Sequence, residues 1–326
     1  MTSSTPPQAV VAYRLVPLVA ILSVAGHTLA GVQIRVVGNM GLTFLSLALA
    51  RAILAWRLPH CVRARDALDA AGAVLVAGIG LVLVSYLGQG LAWPTWDREI
   101  AALELALGID WPTVIRSADR WPIVLAVLSL AYATYYLQLF TAATVLAATG
   151  RHRALDLFLI AFVATALLSI AIGSLAPTYG PEPLQVPPLD LRYVRLTGAT
   201  PAAVLDALRS GSLRVVDLDR LDGLVTFPSM HAAVAVLVPW ALRPVPRLFW
   251  PAVALNLLMA ASAVTTGGHY VIDVVGGALV AIAGIALAEP LRRRLLRILG
   301  PRSAAAPGQG AAKADEVRPA SPAIRT

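Results

Sequence analysis

Three ionisable side chains stand where two apolar runs begin. His231 closes the pentapeptide Phe227-Pro228-Ser229-Met230-His231. His269 and Asp273 open the second run, within Gly267-Gly268-His269-Tyr270-Val271-Ile272-Asp273. Ionisable groups at membrane depth are expensive, so each is a candidate for function before it is a candidate for packing. His269 and Asp273 are four residues apart, which puts them on one face of a helix. A carboxylate there can accept the Nδ1 proton, fix the tautomer and leave Nε2 unprotonated as a nucleophile or base. His231, on a different helix, can then serve as general acid. Ser229 and the backbone N–H groups at the start of its helix suit an anion. Two histidines with an oxyanion cradle match phosphoryl transfer through a phosphohistidine.

Competing chemistries fit less well. Two histidines and a carboxylate also compose the facial triad of non-haem iron, but a Pro-Ser-x-His cradle has no purpose there. A serine hydrolase of the α/β type wants a Gly-x-Ser-x-Gly elbow, and the chain has none. His27 falls inside the first apolar run and reads as structural, while His60 and His152 fall in basic loops and read as solvated. The single cysteine, Cys61, cannot form an intramolecular disulfide.

The elements that must position these residues are membrane helices. Of the 326 residues, 58% are apolar and only 13% charged, with a mean hydropathy of +0.74. Soluble domains carry roughly 25% charged residues. A soluble domain, a disordered chain and a disulfide scaffold are therefore excluded. The net charge of +8 does not point to nucleic acid: 25 of the 26 basic residues are Arg, placed between apolar runs. Eight segments can span a bilayer of about 30 Å, at 14–33, 40–57, 70–92, 121–148, 155–176, 224–242, 248–266 and 269–289. With the N-terminus in the cytoplasm, seventeen basic residues fall inside and nine outside, as the positive-inside rule requires. Both termini are then cytoplasmic. His231, His269 and Asp273 converge at the outer face, although they were not used to choose the orientation. All seven tryptophans fall near span ends, where indoles prefer the interface.

Two outer loops are long. In 93–120, Ile100, Leu103 and Leu107 recur at helical spacing among acids, which predicts a short helix on the membrane surface. In the loop 177–226, Thr200, Pro201 and Gly211 predict the cap, first turn and stop of another helix. The tail from Pro301 is rich in Ala, Pro, Gly and charge and predicts disorder. The expected organisation is an N-terminal transmembrane region at 1–150, a catalytic membrane domain at 151–300 and a tail at 301–326.

The motif residues resemble those of the type 2 phosphatidic acid phosphatase superfamily. Pro228-Ser229-Met230-His231 is similar to its Pro-Ser-Gly-His motif, and Ser262 followed by His269 and Asp273 is similar to Ser-Arg-x5-His-x3-Asp. The resemblance covers roughly residues 155–290. It implies His269 as nucleophile, Asp273 as its orienter, His231 as acid for the leaving group, and Ser229 and Ser262 as phosphate ligands. Met230 replaces Gly, Ala263 stands where that family has a phosphate-binding Arg, and a Lys-x6-Arg-Pro motif is missing. These departures, with the Pro-rich run 176–183, resemble the inositol phosphorylceramide synthase branch. The phosphate charge must then be met by loop arginines, Arg192, Arg195, Arg209, Arg214 and Arg220, of which Arg214 and Arg220 are nearest Ser229 in sequence. The expected partners are the bilayer, a lipid bearing a phosphate and an alcohol acceptor, with no nucleic acid, no metal and no cofactor. Three functions follow as alternatives: a lipid phosphate phosphatase, a phosphotransferase, and a catalytically idle membrane protein or transporter of the same fold.

The topology has a direct check. Cys61 is expected to resist impermeant thiol reagents in intact cells, whereas a cysteine placed at Gly180 in a Cys61→Ser background should label. The reverse pattern overturns the outer-face site.

Overall fold

The computed structural model describes residues 10–185, 188–196 and 199–299. The tail expected at 301–326 lies outside the described residues. A 3₁₀ turn at Val11–Arg14 leads into α1 (Leu15–Leu29), followed by α2 (Gly38–Trp56) and α3 (Val62–Gln89). Two short helices come next, α4 (Asp97–Ala106) and α5 (Trp111–Ala118). Then follow α6 (Pro122–Ala133), α7 (Tyr135–Ala148), α8 (His152–Leu175), α9 (Ala199–Arg209), α10 (Met230–Leu242), α11 (Pro246–Thr265) and α12 (Val271–Leu299). Prolines open α5, α6 and α11, where a missing N–H costs nothing. A small parallel pair was not expected: β1 (Gln33–Arg35) lies beside β2 (Val215–Asp217), with Gln33 opposite Val215.

The fold is all-α and membrane-like. Six helices are long and apolar enough to cross a bilayer: α1 with its 3₁₀ turn, α2, α3, α8, α11 and α12. The pair α6–α7 is a seventh if counted as one span, bent by 49° at Thr134. The Thr134 hydroxyl donates back to Ala131 O at 2.6 Å, a bond that bends helices. The remaining expected span, 224–242, contains only the 13-residue α10. Its helix begins after Ser229, whose side chain caps it by accepting from Ala232 N at 3.4 Å. The other ends differ by several residues at most places. The exceptions are α3, which begins at Val62, and α12, which runs on through Arg292–Arg297 to Leu299.

The centre of the bundle is α8, packed against α3, α7, α10 and α12. Its Leu155, Phe158, Leu159 and Ile160 are buried in a core shared with α1, α3, α7, α10, α11 and α12. In contrast α2 buries no residue and rests mainly on α3 and the turn after β2. An apolar helix with no buried face matches a lipid-facing position.

The approach of α10 to α12 sets the site. Ser229 N donates to the backbone carbonyl of Asp273 at 3.0 Å. A Cβ at Gly277 would fall 2.1 Å from Ser229 O. Only glycine permits that contact. Gly277→Ala should force α10 off α12 and separate their first turns, at an overpacking cost of about 1–3 kcal/mol. The expected result is a protein that still inserts, melts lower and turns over poorly. Gly72→Ala, where a Cβ meets nothing within 4 Å, should change neither property. Turnover and thermal midpoint of the two purified variants decide the matter.

Candidate active site

The three residues singled out by sequence come together at the starts of α10 and α12. His269 Nδ1 donates to Asp273 Oδ2 at 3.2 Å, and Tyr270 N donates to the same oxygen at 2.9 Å. An ionised carboxylate only accepts, so this contact places the proton on Nδ1 and leaves Nε2 as a base. Asp273 is fully buried and His269 nearly so. The His231 ring lies 6.5 Å from that of His269, centroid to centroid, with the planes tilted by 56°. Asp273 thus orients one histidine from behind and does not join both around a common centre. Among the described residues no group of three or more His, Cys, Asp or Glu side chains could hold a metal ion.

Two tyrosines frame His231. Tyr132 stacks on it, with centroids 3.9 Å apart and planes within 11°, and Tyr135 lies at 4.5 Å and 46°. Both flank the bend at Thr134. Hydropathy does not reveal this arrangement, because a bend in a continuous apolar run leaves no gap in its pattern.

The segment 93–120 braces the site. It forms two helices, and the acids of α4 lie on its buried face. Asp97 and Glu104 are buried with Ile100, while Leu103, Leu105 and Leu107 are exposed. The acids face inward because loop amides need acceptors there. Asp97 Oδ1 accepts from Tyr179 N and Gly180 N, both at 3.0 Å. Glu104 Oε1 accepts from Ile272 N at 2.8 Å, in the first turn of α12. Asp119 accepts from the amides of Arg192, Tyr193 and Val194. Burial pushes the Asp97 carboxyl above its ordinary range, and the Tyr179 and Gly180 amides pull it part of the way back. Burial works against Asp119 too, but the three amides and the Arg195 charge hold it below that range. Trp111 is a correction to the interfacial reading of the tryptophans. It is buried, and its Nε1 donates to His269 O at 3.2 Å. Trp56, Trp93, Trp96, Trp121 and Trp250 are exposed as expected.

The phosphate ligands expected from sequence are distributed unevenly. Ser229 is fully buried between the two histidine helices, its oxygen capping α10. Ser262 is also buried, but its hydroxyl donates to Met259 O at 2.7 Å within α11. Arg214 and Arg220 are exposed on the β2 ledge. Arg214 O accepts from Gln33 N, and the Arg220 charge acts on Asp217. Neither side chain forms a hydrogen bond or ion pair with the His–Asp set among the described residues. Arg209 stands differently. Its Nη1 is buried without a hydrogen-bond partner. Its charge acts on Tyr179, whose hydroxyl donates to Asp206 Oδ1 at 2.5 Å. The next residue, Gly180, has φ +91° and packs on Gly268 O, 2.8 Å from where its Cβ would be. Gly180 is therefore a poor place for a labelling cysteine, and the exposed Ser212 on the same loop replaces it.

A polytopic helical bundle with a His–Asp pair facing a second histidine defines a class of membrane phosphoester enzyme. The family model described as the PAP2 superfamily matches residues 98–287. The match covers more than half of the 326 residues, and the chain belongs to that superfamily. Its members act on phosphoesters, and the chain shares their fold. No curated protein and no solved structure matches the chain. The match opens one residue inside α4, so the bracing helices and the bent α6–α7 pair fall within the family region.

Glu104 provides a test of the brace. Burial pushes its carboxyl above the usual 4.5, the Ile272 and Val271 amides pull it down, and Asp273 pushes it up. A carboxyl raised on folding loses stability as pH climbs from its unfolded value through its folded one. The wild type should therefore lose thermal stability relative to Glu104→Gln as pH rises above 4.5. Glu104→Ala strands the α12 amides and should cost about 1–3 kcal/mol at every pH. Identical pH profiles for wild type and Glu104→Gln would remove Glu104 from this role.

Proposed function

We propose that the protein cleaves or transfers the phosphoester of a membrane lipid through a phosphohistidine at His269, at the outer face of the membrane. The observation that carries this is the His269–Asp273 pair with its free-standing partner ring: Nδ1 held at 3.2 Å and His231 centred 6.5 Å away. At that separation the imidazoles are too far apart to hydrogen-bond and close enough to address the two ends of one P–O bond. His269 Nε2 attacks phosphorus, and the bond from phosphorus to the lipid oxygen breaks. His231 gives its proton to the departing alkoxide. The N–P bond of the intermediate is then broken by water or by an alcohol, whose proton His231 takes. Membership of the PAP2 superfamily supports the reaction class.

The Ser229 hydroxyl, at the start of α10, is the proposed donor to a phosphate oxygen, helped by the amides of that turn. We assign the cation to the arginines of the 177–226 loop. Arg209 ranks ahead of Arg214 and Arg220 because part of its guanidinium is buried and unpartnered. Whether the acceptor is water or an alcohol, as in the inositol phosphorylceramide synthase resemblance, depends on what reaches His269. Purified protein given a labelled lipid phosphate with and without candidate alcohols separates hydrolysis from transfer.

The variants discriminate the roles. His269→Ala should abolish turnover of both a lipid phosphate and an aryl phosphate while the protein still inserts. Asp273→Asn should lose less, since the ring keeps its place and only its tautomer preference weakens. His231→Ala should lose roughly 10²–10⁴-fold on the lipid phosphate, whose alkoxide needs a proton. It should lose far less on the aryl phosphate, whose phenolate leaves unaided. Substantial activity in inserted His269→Ala sinks the nucleophile assignment, and equal losses for His231→Ala on both substrates remove its acid role.

A further inference from the structure

A stacked ring on a histidine is a stronger restraint than a neighbouring aliphatic chain, because it fixes the plane as well as the position. His231 has two such neighbours. Tyr132 lies parallel to it at 3.9 Å and Tyr135 meets it at 4.5 Å. Among the described residues no hydrogen bond constrains either nitrogen of His231, so the ring is held through its faces. Tyr132 and Tyr135 are three apart, yet Thr134 breaks the helix between them. Both rings nonetheless close on the same imidazole.

The bend is itself clipped on either side. Above it, Ser129 Oγ and Thr266 Oγ1 share a hydrogen bond at 3.2 Å, joining α6 to the end of α11. Below it, Asn256 Nδ2 donates to Gln138 Oε1 at 2.5 Å, joining α7 to the middle of α11. Gln138 Nε2 in turn donates to Thr134 Oγ1 at 2.8 Å, at the bend itself. Asn256 is tied to its own helix by Ala252 O at 2.8 Å. Buried amide side chains of this kind are costly unless satisfied. Here their hydrogen bonds fix the angle at which α6 meets α7, and hence where the two tyrosines stand. The bend would have no packing use in a span that simply crossed the bilayer.

We propose that Tyr132 and Tyr135 are positioning residues that clamp the imidazole of His231 in the orientation from which it protonates the leaving group. This deepens the proposed function and rests on His231 acting as the acid there. The rings do not touch the reacting atoms. Their effect is on the direction of a proton transfer, so it should show only where that transfer matters. The π face is the working part, which makes phenylalanine a conservative replacement and leucine a disabling one.

The experiment uses the full-length protein in detergent with two substrates, short-chain phosphatidic acid and p-nitrophenyl phosphate. Tyr132→Phe and Tyr135→Phe should each retain turnover within about twofold on both. The double variant Tyr132→Leu with Tyr135→Leu should lose roughly 10–100-fold in kcat on the lipid phosphate, the scale of a misplaced reacting group. Its loss on the aryl phosphate should stay within about threefold, and alkali-quenched labelling of His269 by that substrate, its phosphate radiolabelled, should persist. Added to His231→Ala, the same pair of changes should cause no further loss on the lipid phosphate, because coupled groups are not additive. Equal losses on the two substrates, full additivity with His231→Ala, or failure of the leucine variant to label at His269 would each overturn the clamp. If His231→Ala alone is selective for the lipid phosphate and the leucine variant is not, only the clamp falls. If His231→Ala itself shows no selectivity, the acid reading falls and the clamp with it.

Discussion

Both histidines of the site are tied to one residue. The side chain of Asp273 accepts from His269 Nδ1, and its backbone carbonyl accepts from Ser229 N, two residues before His231. Neither bond alone would set the distance between the imidazoles. Together they make the separation a property of a single turn at the start of α12. That turn can be approached by α10 only because Gly277 carries no side chain. A carboxylate buried this completely is costly unless its acceptors are used. It spends Oδ2 on His269 and the Tyr270 amide. Oδ1 has no hydrogen-bond partner among the described residues, so the contacts that set the geometry of the site satisfy only one of the two carboxylate oxygens.

The same logic extends outward through the short helices. Loops around the site bring amides into regions with no ladder to receive them, and buried amides must find acceptors. Asp97 and Asp119 supply these for two loop segments, and Glu104 supplies one for the first turn of α12. Trp111 adds a donor for the His269 carbonyl, and Tyr270 reaches the Asp97 carbonyl at 3.4 Å. The α4–α5 segment is thus a scaffold for the His269 turn, and its leucines face away. Its acids are shielded from water by the very loops that they hold. That explains why burial raises Asp97 and Glu104, whereas the exposed-edge Asp119, with three amides and a nearby arginine, is lowered.

Sequence reading found the parts of the site that obey local spacing. His269 and Asp273 are one helical turn apart, Ser229 sits where a cap must sit, and the apolar runs mark the helices. Each of those features depends on a few consecutive residues. The brace was invisible for a physical reason. An acid in an outer loop looks the same whether it faces water or caps a distant amide, and Glu104 reaches a partner 168 residues away. The acids of α4 are buried against backbone amides, a hydrogen-bond demand that hydrophobic periodicity does not report. The bend at Thr134 was hidden because both halves are apolar. The arginine ranking used distance along the chain, yet β2 pairs with β1 and draws Arg214 to a ledge whose position no local pattern specifies.

Loss of the family's motif arginine at position 263 leaves a small buried residue there. A fixed guanidinium beside the nucleophile would hold phosphate tightly before and after reaction. On the proposed reading the cations come instead from the 177–226 loop. The loop is tied at its first turn: Asp97 holds Tyr179 and Gly180, and Tyr179 holds Asp206 one helical turn before Arg209. An arginine placed by that chain of contacts shares its support with the His269 turn, because Gly180 rests on Gly268. Among the described residues the buried Nη1 of Arg209 has no hydrogen-bond partner, which costs free energy. An anionic ligand would recover it, and that recovery is binding energy gained only when a phosphate is present.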